Sequence, residues 1–199
     1  DPRRGARRVL YTCAAGNNVS HVQVQPGAGK LVQMQLLTGG GAGGAPGVGM
    51  LVMDIDGHGP RRLCIGGSHT AESSGHAAWI TGSDRVACTV TWDQTARKHD
   101  ARHPRGNLVI AGPDDKAPRV FAAPEHAFYH VSVSRCGRYF VCDDFMDFRM
   151  DVFRQGHIGP SRLVVGNLET GKYRILLRDC MAYGLAGTSN WEPVPYFTA

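Results

Sequence analysis

Polar and apolar positions alternate from His130 to Ser134. His130, Ser132 and Ser134 share one parity, and Val131 and Val133 share the other. That period of two predicts a half-buried strand. Arg135-Cys136-Gly137-Arg138 reads as a tight turn, where Gly137 can take positive φ without a Cβ penalty. Tyr139 to Cys142 then runs apolar into Asp143-Asp144, completing a hairpin. The same pattern occurs at His21 to Gln35 (HVQVQPGAGKLVQMQ) and at His76 to Trp92 (HAAWITGSDRVACTVTW). The three leading histidines are 55 and 54 residues apart, and self-similarity at a fixed period is the signature of a repeat fold.

Each period carries a second hairpin. Its predicted strands are Met50 to Ile55 with Pro60 to Cys64, Asn107 to Ala111 with Pro118 to Ala122, and Arg162 to Leu168 with Lys172 to Leu177. Four-stranded units at this spacing predict an all-β fold of the β-propeller type. The blades are expected at His21 to Cys64, His76 to Ala122 and His130 to Leu177, and a further one starts near Pro193. About three and a half blades cannot close a ring, since propellers use typically four to eight. A partial propeller domain over residues 1–199 is therefore expected, with the rest of the propeller or another chain closing it. Arg8 to Cys13 reads as an additional strand. Thr38 to Gly49 (TGGGAGGAPGVG) reads as a flexible linker, lacking the Lys-Ser/Thr of a phosphate loop.

Composition sharpens this picture. The 26 glycines and 11 prolines suit a turn-rich β fold. No apolar run approaches the length of a membrane-crossing helix, so no membrane partner is expected. A net charge of +5 permits an acidic partner, yet much of the excess sits at Arg3, Arg4, Arg7 and Arg8. Without a basic helix or interleaved aromatics, nucleic acid is not the expected partner. The six cysteines form no C-x-x-C pair, and most lie in or beside apolar strands. Free buried thiols favour a reducing compartment, read here as the cytoplasm.

Four segments together carry a family resemblance: S-H-V-Q-V-Q-P from Ser20, G-H-A-A-W from Gly75, Y-H-V-S-V-S-R-C-G-R from Tyr129, and P-Y-F-T-A from Pro195. The chain resembles the oligogalacturonate lyase family, seven-bladed propellers with relatives among TolB-like repeat proteins. The resemblance implies a β-elimination on short galacturonate oligomers in pectin breakdown. A base takes the C5 proton, and a divalent cation, typically manganese, binds the carboxylate. It puts the base at His76, a metal ligand at His130, and a substrate-binding pocket residue at His21. The family's Q-x-x-H-P-H-P run falls on Ser189 to Pro195, where Glu192 and Val194 replace the histidines. Glu192 remains a ligand suited to a hard cation. The partner implied is an acidic, oligogalacturonate-like sugar.

That substitution also supports an alternative: a non-catalytic propeller that binds a sugar or a protein, its metal site decayed. For each histidine the ordinary alternative is a polar strand residue bonded to nearby backbone. Asp143, Asp144 and Asp147 read as a solvated acidic loop or as turn caps. Trp79 and Trp92 read as packing between blades. Arg97, Lys98, His99, Arg102 and His103 read as solvated charge, or as an electrostatic guide for a polyuronate.

Overall fold

The alternating segments form strands that pair in chain order, as seen in a computed structural model of the protein. It describes residues 8–38, 47–65, 74–90, 108–123, 126, 128–145 and 157–183. These hold twelve strands and no helix. They build three four-stranded antiparallel sheets. The first sheet contains β1 (Asn17–Val24), β2 (Leu31–Thr38), β3 (Gly47–Asp54) and β4 (Arg61–Arg62). The second contains β5 (Ser74–Trp79), β6 (Val86–Val90), β7 (Leu108–Ala111) and β8 (Arg119–Phe121). The third contains β9 (Phe128–Val133), β10 (Tyr139–Phe145), β11 (His157–Asn167) and β12 (Tyr173–Tyr183). No helix among the described residues is long and apolar enough to cross a membrane.

Side-chain parity stacks the sheets in sequence. Met50, Val52 and Leu63 of the first sheet's segment pack with Trp79, Val86, Cys88 and Val109 of the second. The opposite face of the second sheet offers Ala87, Leu108, Ile110 and Phe121 to Phe128, Phe140, Cys142 and Val164 of the third. The middle sheet is therefore apolar on both faces, so Val86 to Cys88 and Leu108 to Ala111 read as unbroken apolar runs. Trp79 lies between sheets, as its sequence context suggests, and its indole N–H donates to the Gln23 carbonyl at 3.2 Å.

The expected segments need three corrections. Arg8 to Cys13 forms no strand. Tyr11 instead packs on Val32, Met34, Leu51 and Met53, and the Leu10 backbone lies against Gly57, so the segment is held by packing without ladder bonds. The ends of the glycine stretch are strand, since Thr38 pairs with Gly47 and Leu36 with Gly49; ladder bonds need only backbone. Residues 39–46 lie outside the described residues, as does the fourth unit expected near Pro193. Finally, Cys136 is exposed in its turn, whereas Cys88 and Cys142 are buried; all five cysteines whose side chains are described are free.

One packing contact is exacting. The buried Phe140 ring lies over Gly166, its partner across β10 and β11, and a Cβ there would overlap the ring. Gly166→Ala should destabilise the fold by about 1–3 kcal/mol through overpacking, read as a lower urea midpoint. An unchanged midpoint would mean that the ring is free to move aside.

Candidate functional site

Register shifts place the three leading histidines. In the first sheet Ser20 pairs with Gln35 and Gln23 with Gln33, so His21 and Val22 together face Met34. In the second, Ser74 pairs with Val90 and Ala77 with Cys88, so Gly75 and His76 face Thr89. In the third, Phe128 pairs with Asp144 and Val131 with Cys142, so Tyr129 and His130 face Asp143. Each is a two-against-one β-bulge, a device that bends a strand and re-aims a side chain.

A bulge leaves a backbone N–H without its ladder partner, and a buried N–H must find another. At His76 the Thr89 hydroxyl accepts that bond at 2.8 Å and donates back to the His76 carbonyl at 3.2 Å. At His130 the Asp143 carboxylate accepts the backbone N–H at 2.6 Å. Met34 offers no comparable acceptor, and His21 instead takes a positive φ of 50°. Its Nδ1 lies 3.0 Å from the Ser20 hydroxyl, which donates to Gln35.

The three rings meet. His76 is central, with its centroid 4.7 Å from that of His21, edge to face, and 4.2 Å from that of His130, tilted by 39°. His21 is exposed, His76 half-buried and His130 buried, so the cluster runs from solvent into the protein. The structure thus brings together three of the four residues singled out from sequence. Glu192 lies outside the described residues, as does the rest of Ser189 to Pro195. So do Trp92, Asp147 and the basic residues from Arg97 to His103.

Beside the cluster, Asp143 and Asp144 overturn the expectation of a solvated acidic loop, since neither has accessible surface. As neighbours on a strand they point to opposite faces. Asp143 accepts the backbone N–H of His130 through one oxygen and lies against its Nδ1 through the other, each at 2.6 Å. Asp144 lies 2.6 Å from Nδ1 of the buried His126 and 3.0 Å from Arg162. His126 stacks on Phe128 and meets Tyr173 edge-on. Sequence reasoning missed His126, which falls outside the repeat of leading histidines. Burial lifts the Asp143 carboxyl above the ordinary carboxylate range and outweighs the opposing effect of its two bonds to His130. Burial, then the nearby Asp143 and Asp144 charges, also holds the Cys142 thiol well above its usual value.

Among the described residues no group of three or more His, Cys, Asp or Glu side chains is arranged to hold a metal ion. With Nδ1 against Asp143, His130 could ligate only through Nε2. The described residues alone therefore do not compose a metal site. What the cluster can do is accept a proton or a hydrogen bond at a half-buried imidazole backed by a buried histidine–carboxylate pair. No family model matches the chain, and no curated protein matches it either.

The raised Asp143 value fixes the sign of a pH effect. The folded state holds the Asp143 proton to higher pH than the unfolded chain does. This contribution to stability is fully present below the unfolded value, about 3.9, and is lost as pH rises through the folded one. Asp143→Asn removes the titration. In urea titrations from acid to neutral pH, wild-type stability relative to Asp143→Asn should fall as pH rises. A gap that widens with pH would show that the His130 bonds, and not burial, dominate.

Proposed function

We propose that the three sheets are blades of a β-propeller, and that the histidine cluster is the axial site of a lyase acting on short oligogalacturonate-like sugars. The observation that carries the reading is the meeting of His21, His76 and His130 across three successive sheets. Strand-leading residues of successive propeller blades converge toward a common axis. His76, half-buried and central, is the base. It takes the proton from C5 of the uronate. The electron pair forms the C4–C5 double bond, the C4–O bond breaks, and the leaving oxygen is protonated. His21, at the solvent side, contacts the sugar. His130, held by Asp143, backs the site. A divalent cation such as manganese, held through His130 Nε2 and Glu192, would stabilise charge developing on the uronate carboxylate. The free thiols suit a reducing compartment such as the cytoplasm.

A second reading is a non-catalytic propeller that binds a sugar or protein. It is favoured by the replacement of the family's two histidines by Glu192 and Val194. The test is ultraviolet absorbance of the conjugated unsaturated product, with short galacturonate oligomers as substrate and manganese present or absent. The lyase reading expects a rise in absorbance that drops by about 100-fold or more in His76→Ala. No rise from the folded protein at any manganese concentration would leave the binding reading.

A further inference from the structure

Each leading histidine sits in a two-against-one bulge, His21 at its first position and His76 and His130 at their second, and the residue opposite each differs: Met34, Thr89 and Asp143. Thr89 and Asp143 do the same structural work, because each accepts the histidine backbone N–H that the bulge strands. A threonine suffices for that. Asp143 does more, since its second oxygen lies 2.6 Å from Nδ1 of His130. Backbone capping alone does not account for a carboxylate with no accessible surface at this position.

We propose that Asp143 is a positioning residue. It holds His130 as the tautomer protonated at Nδ1, which leaves Nε2 as the acceptor nitrogen of a ring that packs against His76. The argument is electrostatic. An acceptor-only carboxylate favours a proton on the nitrogen that faces it, and the other nitrogen then becomes the more basic one. The His76 ring is the neighbour of the ring so fixed, 4.2 Å from the His130 centroid. The differing residues across the bulges thereby divide labour among repeated histidines. His130 is given a fixed tautomer by Asp143. At His76 the facing Thr89 caps the backbone N–H and returns a bond to the carbonyl. The tautomer stands apart from the lyase reading, but its use in turnover rests on that reading.

The test is long-range nitrogen–proton NMR of histidine-labelled full-length protein at about pH 8, with the His130 signals assigned by His130→Gln. In wild type, Nδ1 should be protonated and Nε2 should not. Asp143→Asn presents an amide N–H to Nδ1 while its oxygen keeps the backbone cap, and it should invert the tautomer. Asp143→Thr copies the Thr89 cap and should release the preference without unfolding the bulge. If either variant fails to fold, the other carries the same readout. Under the lyase reading, kcat in Asp143→Asn should fall about 10- to 100-fold while KM changes little. A wild-type His130 that is protonated at Nε2, or a tautomer unchanged in the variants, would overturn the proposal. An inactive wild type with the expected tautomers would sink the lyase reading and leave the positioning role standing.

Discussion

A buried backbone N–H must be bonded, and the bulges make that constraint decide the architecture of the site. Each two-against-one mismatch turns a histidine out of the ladder and strands its amide. At the second and third bulges the facing residue is the acceptor, which explains why a threonine and an aspartate occupy otherwise apolar strands; at the first, Met34 faces His21, which takes a positive φ instead. At His130 capping and aiming are one event, because the carboxylate that restores the lost bond also holds Nδ1 of the ring.

The sheets must also stay in register with one another for the rings to meet. Apolar surfaces supply the attraction, but they are non-directional. Directional bonds lie near the histidines. Gln23 donates to the Ala77 carbonyl at 2.9 Å, Gln33 to Gln23, and Gln25 to the Ser83 carbonyl at 2.8 Å. With the Trp79–Gln23 bond, these fasten β1 and β2 of the first sheet to β5 and the turn that follows it. Their geometry tolerates little sliding, so the approach of His21 to His76 follows from them. Between the second and third sheets, the Gly137 turn packs against the Thr81 carbonyl.

Much of this was legible in the sequence because it depends on local periodicity. Alternation marks the strands, and the regular spacing of His21, His76 and His130 marks residues that meet in space. Other features were hidden because they depend on pairing between strands. Asp143 and Asp144 look like a loop when read along the chain; only the bulge opposite His130 gives the first a reason to be buried. Gln33 and Gln35 look like the solvent face of β2 and are buried; Gln33 reaches the Ala77 carbonyl of the second sheet, and Gln35 accepts from Ser20 of its own. Arg8 to Cys13 shows the reverse error, an apolar segment held by the packing of Tyr11 and not by a ladder.

The central claim is that histidines from three sheets share one site. The most direct measurement is magnetisation transfer between ring protons in histidine-labelled protein, assigned with single His→Gln variants. The account predicts cross-peaks from the His76 ring to both the His21 and His130 rings, because the centroids lie within 4.7 and 4.2 Å. A His76 ring that shows neither cross-peak, in a folded protein, would contradict it.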